Sequence, residues 1–459
     1  MTKLVSTNPS RNFEIIAEVE VTTASDVHAT VAKAKSAQVK WAALSVNDRC
    51  EILKSFIKIS EERTEEIAKL IALETGRPVN NSRGNVSGGI NFFNSYIEIA
   101  ESALKPQLTL ETKTEIHTVY REPWGVIGCI CPWNYPFMNV VWQCGQALIA
   151  GNAIVYKNSE ENPLFARMMA EIVAESEIPE GVFNVIYGDG HTGDTLAHAD
   201  IDMLSFTGSS KTGHALASVA AEKFIPFVAE LGGSSPCIIL EDMPITTKVI
   251  DYLYDLRFRH SGQFCNAIKR LIVHESKFDE LVEKLTKTVT SKKIGDASEE
   301  DTDLGPLVAK RQVDVIEVQV ADAVNKGAKV ICGGKKPSGL QGAYYEPTIL
   351  TNINFDMRVW REETFGPVLP IVSFKREDEA IKLANDTEYG LSAHVMTPDS
   401  ERFLSIARQI HAGTVAQNIV PPFQPQNPFG GYKKSGLGRI HGQFGFDEVT
   451  QMKLVASEK

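Results

Sequence analysis

The chain has 459 residues, 43% of them hydrophobic, and a formal net charge of -11. That length buries a large core and divides into two or three domains, while the acidic balance excludes non-specific binding to nucleic acid or to an anionic membrane face, which needs a basic surface. No apolar run approaches the roughly 18 residues of a membrane span, and seven scattered cysteines suit a reducing compartment better than a disulfide framework.

The opening Met-Thr-Lys-Leu-Val-Ser-Thr-Asn-Pro lacks an apolar core and a cleavage site, so no secretory signal is expected and the location read is cytoplasmic. Helical periodicity follows over 24–39, over 46–73 with a break, and over 83–103; Ser25-Asp26 starts the first and Gly76-Arg77-Pro78 ends the second. Alternation over 108–121 predicts one or two strands. Between 124 and 233, strands over 126–131, 153–157, 182–187, 203–207 and 226–230 alternate with helices over 138–150, 164–175, 192–197 and 212–222. This is the pattern of a parallel sheet with crossover helices, whose ligands sit at the carboxyl ends of the strands. Cys129 and Cys131 lie in an apolar strand with no histidine at ligand spacing, and no metal site is expected. Gly188-Asp189-Gly190-His191-Thr192-Gly193 matches a dinucleotide fingerprint literally, but the acidic residue due about 20 positions later is missing, because 205–209 carries none.

Past Pro236 the alternation begins afresh. Strands over 237–240, 268–274, 328–331 and 370–373 are separated by helices over 278–291, 309–326 and 377–385, which predicts a second α/β unit. Within it, a helix over 246–257 and the strand over 268–274 flank a Gly/Gln turn that presents Cys265 at an element edge. A lone cysteine is more often a small buried hydrophobe than a nucleophile. Glu230 raises the odds: it ends an apolar strand beside Gly232 and Gly233, where partial desolvation raises a carboxyl pKa and makes it a base near neutral pH. Asn134, after the first strand of the sheet, carries an amide able to donate to a developing oxyanion, or else closes a turn ahead of Pro136.

Six motifs stand in one order: Pro-Trp-Asn-Tyr-Pro-Phe at 132–137, Phe-Thr-Gly-Ser at 206–209, Glu-Leu-Gly-Gly at 230–233, Phe-x-x-x-Gly-Gln-x-Cys at 258–265, Glu-Glu-Thr-Phe-Gly-Pro at 362–367 and Pro-Phe-Gly-Gly-Tyr-Lys-Lys-Ser-Gly at 428–436. Together they resemble the NAD(P)-dependent aldehyde dehydrogenase superfamily, in its succinate-semialdehyde-oxidising or broad-specificity members. The resemblance implies an α/β fold of two Rossmann-like parallel-sheet domains plus a small β oligomerisation arm. Residues 1–104 and 124–232 would bind the cofactor, 233–430 would form the catalytic domain, and 105–123 with 431–459 the arm and tail of a homodimer or homotetramer.

The same resemblance implies oxidation of a small aldehyde to a carboxylic acid with NAD. Cys265 would form a thiohemiacetal and then a thioester, Asn134 and the Cys265 N–H would hold the oxyanion, and Glu230 would activate the hydrolytic water. Trp133, Gly208 and Leu231 would line the cofactor cleft, Ser209 at a helix start would meet the pyrophosphate, Glu363 the nicotinamide ribose and Phe365 the ring. Lys157 and Glu160 would hold the adenosine ribose. A carboxylate there favours NAD, Lys157 leaves NADP open, and a simple surface ion pair is the competing account. Arg259 falls where semialdehyde-oxidising members carry a carboxylate-binding arginine, but their second arginine is Trp142 here, and His260 replaces the usual asparagine. A semialdehyde and a neutral aldehyde both stay open, with Arg259 serving equally as a structural residue and Trp142 as tunnel lining or core. Two other activities compete: an acylating dehydrogenase that passes the thioester to coenzyme A, and a cysteine hydrolase using His260 as base.

Overall fold

The computed structural model describes residues 3–459; Met1 and Thr2, where the leader reading begins, lie outside the described residues. A six-stranded sheet runs, edge to edge, through Gly436–Leu437, Phe227–Glu230, Met203–Thr207, Val126–Ile130, Ala153–Lys157 and Phe183–Ile186. All its pairs are parallel except the outermost, Gly436–Leu437 on Phe227–Glu230. The chain lays down Val126–Ile130, Ala153–Lys157 and Phe183–Ile186 toward one edge, then returns to set Met203–Thr207 on the other side. Loops leaving Val126–Ile130 and Met203–Thr207 therefore diverge and open a crevice at the carboxyl ends. Trp133 and Asn134 leave the first of these strands, Gly208 and Ser209 the second.

A seven-stranded sheet runs through Lys329–Cys332, Thr348–Thr351, Val368–Phe374, Ile268–His274, Ser235–Ile239, Ser392–Met396 and Thr414–Gln417. Only its Lys329–Cys332 edge is antiparallel. Strands such as Val126–Ile130, Ala153–Lys157 and Ser235–Ile239 are buried at every residue, as expected where helices cover both faces of a parallel sheet. The chain first crosses from the six-stranded to the seven-stranded sheet through Leu231, Gly232, Gly233 and Ser234, and returns after Thr414–Gln417 to lay down Gly436–Leu437. The carboxyl edge of the first sheet thus confronts the amino edge of the second, and Cys265 lies three residues before the second sheet's strand Ile268–His274.

Gln107–Glu111, Glu115–Pro123 and Thr450–Glu458 form a third, antiparallel sheet. The tail expected as one piece with this arm is divided, since Gly436–Leu437 belongs to the first sheet. The helix expected over 46–73 breaks at Arg63 into Val46–Glu62 and Thr64–Thr75. The helix expected over 138–150 is not uniform either: Pro136–Val140 passes into a π-helical turn, Val141–Gly145, before Gln146–Ala150. Strands Thr348–Thr351, Ser392–Met396 and Thr414–Gln417 and the hairpin Lys3–Asn8 with Glu14–Glu20 carried no clear signal in the sequence. No helix of the described residues is long and apolar enough to cross a membrane.

Candidate active site

Where the two sheet edges meet, a cleft of about 820 Å³ is lined by Trp133, Asn134, Trp142, Gly208, Ser209, Glu230, Leu231, Arg259, Cys265, Glu363 and Phe365. That is the size of a small-molecule or cofactor site, and it gathers all the expected site residues except Lys157 and Glu160. Those two lie at the end of Ala153–Lys157, outside the cleft lining, with Nζ and Oε2 3.6 Å apart. Lys157 is buried, and burial lowers its ammonium below the ordinary range, with Glu160 opposing.

Cys265 sits in a turn that the sequence builds with care. The helix Thr247–Phe258 ends, and His260, Ser261 and Gly262 then all adopt left-handed φ values of 50°, 52° and 70°. At Gly262 a side chain is impossible, because a Cβ would lie 2.5 Å from the Gly366 carbonyl. Cys265 keeps part of its surface open to the cleft. Burial of the sulfur pushes the thiol up to about 12; Lys269 pulls it back, while Glu230 and Glu363 add to the rise.

Glu230 faces the same cleft from the end of Phe227–Glu230. It is 3% exposed, and neither carboxyl oxygen has a hydrogen-bond partner. Burial holds its pKa well above the carboxylate range, Arg439 opposing and Glu448 reinforcing. A buried polar group left unpaired is costly, and this one is aimed where a water or substrate proton would arrive. Asn134 completes the group. One N–H of its amide donates to the Gln263 carbonyl at 3.1 Å, which fixes the amide plane and leaves the second N–H for an oxyanion.

The part of the cleft around Ser209 and Glu363 is equally specific. Ser209 caps the helix Ser210–Lys223, and its Oγ accepts the Thr212 N–H; such an N-terminus suits a pyrophosphate. Gly232 allows the Glu363 carboxylate to approach, since a Cβ would lie 2.2 Å from Oε2. Trp133 meets Phe365 edge-on at 5.9 Å. The literal glycine fingerprint plays no part: Asp189 caps its helix, Gly190–His198, with its own carboxylate, and these residues do not line the cleft. The helix start at Ser209, the Glu363 carboxylate over Gly232 and the Trp133–Phe365 pair fit a dinucleotide.

Around the thiol, Trp142, Tyr135 and Phe423 form an aromatic wall, with Trp142 5.0 Å from Phe423 and 6.0 Å from Tyr135. Arg259 enters beside it, paired to Asp255 at 3.1 Å and lying 5.4 Å over the Phe264 ring. Sequence reasoning missed Arg77, a cleft residue whose guanidinium stacks 4.2 Å over Tyr135 and donates to the Asn134 carbonyl at 3.1 Å. Burial pushes the Tyr135 phenol up, but Arg259 and Arg77 more than offset it and leave it below its ordinary value. His260, the base a hydrolase would need, is buried, does not line the cleft, and has both ring nitrogens unpartnered. Burial, with Arg77 and Arg259, holds it well below the usual imidazole range.

The profile of the "Aldehyde dehydrogenase family" matches residues 2–455. The chain belongs to the aldehyde dehydrogenase family. Among its relatives, aminoaldehyde dehydrogenase 1, peroxisomal, of Pisum sativum is 38% identical over 464 residues, covering 99% of this chain and 92% of that one. Betaine aldehyde dehydrogenase of Staphylococcus aureus, solved in complex with NAD+, superposes with a TM-score of 0.94 at 31% identity, over 99% of this chain and 91% of the other. An E. coli NADP-dependent enzyme gives 0.96 at 31% identity, over 100% and 95%. As an aldehyde dehydrogenase the chain oxidises an aldehyde with NAD, through the cysteine and glutamate chemistry general to its family.

Proposed function

We propose that the protein oxidises a small aldehyde with an anionic tail to the carboxylic acid, with Cys265 as nucleophile, Glu230 as base and Asn134 as oxyanion donor. The convergence of these three side chains on one cleft carries the reading. The Cys265 thiol gives its proton through water to Glu230, and the sulfur adds to the aldehyde carbon. Asn134 and the Cys265 backbone N–H hold the oxygen as it gains charge. The cleft would hold NAD as the acceptor of the hydride that leaves the aldehyde carbon. Once Glu230 has released the thiol's proton to solvent, it takes a proton from the water that cleaves the Cys265 thioester; the carboxylic acid leaves and the departing thiolate is reprotonated. Ser209 would meet the pyrophosphate of the cofactor and Glu363 its nicotinamide ribose. Lys157 and Glu160 would meet the adenosine ribose, where the carboxylate favours a free 2'-hydroxyl.

The tail preference rests on Arg259 and Arg77, which flank Tyr135 in the cleft. Tyr135 and Asp255 hold the Arg259 guanidinium above its ordinary range despite burial, so a cationic tail would meet a fixed positive charge. Aldehydes of equal length ending in carboxylate, methyl and trimethylammonium test this with NAD. The expected order of kcat/KM is carboxylate, methyl, trimethylammonium, and Arg259→Gln removes roughly tenfold or more from the first alone, the worth of one charged hydrogen bond. A preference for the cationic aldehyde would overturn it.

The reading includes a homo-oligomer joined through the three-stranded arm, supported by apolar side chains that the arm leaves in solvent, and a cytoplasmic setting, supported by seven free cysteines.

A further inference from the structure

Lys269 is the second residue of the strand Ile268–His274, and its side chain is 1% exposed. An ammonium at that depth costs several kcal/mol unless it is paired and its donors are used. Lys269 donates to the Gly233 carbonyl at 2.6 Å, to the Cys265 carbonyl at 3.0 Å and to the Glu363 carboxylate. Its three donors thus reach three segments far apart in the chain, each of them lining or abutting the cleft. Phe365 lies 5.4 Å away.

Glu363 is divided by this arrangement. Oε1 accepts from Lys269 and from the Gly233 N–H at 3.1 Å. Oε2 rests over Gly232, at the cleft wall. A neutral side chain of similar volume would fill the Lys269 site at lower cost, so the charge has work beyond packing.

We propose that Lys269 is a positioning residue that clamps the Cys265 turn, the Gly232-Gly233 turn and Glu363 into one unit, leaving Glu363 a single oriented oxygen for the nicotinamide ribose hydroxyls. The proposal rests on Glu363 belonging to the cofactor. The charged groups facing the Cys265 thiol are Lys269, Glu230 and Glu363. Lys269 is the one cation among them, and it opposes the rise that burial and the two carboxylates impose. The same clamp therefore serves both reactants: it aligns the half of the cofactor that would take the hydride and eases ionisation of the sulfur that adds to the aldehyde.

The test uses the cofactor-free enzyme with two readouts besides turnover: NAD affinity by titration, and the pH profile of Cys265 alkylation by iodoacetamide. Lys269→Met is expected to weaken NAD binding about tenfold or more, the scale of a charge-assisted contact, and to move alkylation to higher pH. The double variant Lys269→Met with Glu363→Gln is expected to bind NAD no more weakly than Lys269→Met alone, because both changes remove one interaction. Unchanged affinity and an unchanged profile in Lys269→Met overturn the proposal, as do additive losses in the double variant, because a lysine that only supports the fold would lower stability and move neither readout. Should Lys269→Met not fold, Lys269→Gln decides: it is expected to weaken NAD binding and to move alkylation to higher pH, and the absence of both changes overturns the clamp. Full NAD affinity in Glu363→Gln instead removes the ribose assignment, and the proposal with it, whereas weakened binding there beside a silent Lys269→Met removes the clamp alone.

Discussion

At the scale of single residues, the cleft pairs two groups whose environments push both pKa values upward. Glu230 has no partner for either oxygen, so its carboxyl is protonated at low pH and becomes a base only as pH rises through its elevated pKa. Hydrolysis of the thioester should therefore accelerate with pH, and Glu230→Gln should flatten that rise. In a rapid-mixing experiment Glu230→Gln is expected to keep a burst of about one equivalent of NADH while steady turnover falls by about 10²-fold or more, the usual worth of a positioned base. Full steady-state activity in the variant would remove Glu230 from deacylation. Cys265 and Glu230 were legible because each broke a local rule, a thiol in a turn and a carboxylate ending an apolar strand. Lys269 and Arg270 broke one too, as charges inside a strand read as buried, and that signal could have exposed them. Arg270 in fact donates to the carbonyls of Ser234 and Ala384, pinning the glycine loop from below. Arg77 gave no such signal: it stood in the stretch that ends a helix, and only the chain's return brings it over Tyr135.

At the scale of elements, helices and strands with strong periodicity came through, and the failures have physical causes. Ser392–Met396 and Thr414–Gln417 are four or five residues long and mix polar with apolar side chains (Ser392, His394, Thr414, Gln417), too short and too mixed for a period to show. The π-helical turn Val141–Gly145 inserts extra chain into a helix that the pattern reads as continuous, and it carries Trp142 into the cleft wall. The helix Pro163–Glu175 shows how one buried carboxylate ties elements together. Glu74 accepts the N–H groups of Leu164 and Phe165 at 2.9 and 2.8 Å and the Ser6 hydroxyl at 2.6 Å, joining the N-terminal hairpin to that helix start. Burial raises Glu74 to about 7 despite these three bonds. Because the folded pKa exceeds the unfolded value of about 4.3, the stability it contributes is complete below that value and is lost as pH rises through about 7. Glu74→Ala is expected to cost about 2–4 kcal/mol, with the deficit in denaturant unfolding larger at pH 5 than at pH 8. A deficit that grows with pH would contradict the assignment.

At the scale of the whole molecule, the three-stranded arm does not account for its own stability. Every residue of Gln107–Glu111 is exposed, as is every residue of Thr450–Glu458 after Thr450. Leu108, Leu110, Tyr120, Met452, Leu454 and Val455 all stand at least 40% open to solvent. Isolated strands need a covered apolar face to persist, and long exposed edges invite pairing with another chain. Charges alternate along these strands, with Lys453 on Glu122 and Lys459 on Glu111, which keeps the register within one protomer while leaving the apolar side chains free. Several exposed apolar side chains on one thin sheet suit an interaction surface, and a second copy is the partner that the proposed homo-oligomer supplies. Replacing Met452 and Leu454 together by Asp should then lower the mass measured by light scattering to that of one chain at micromolar concentration, without loss of the two large sheets by circular dichroism. A wild-type protein that is already monomeric under those conditions would leave the arm without the role assigned to it.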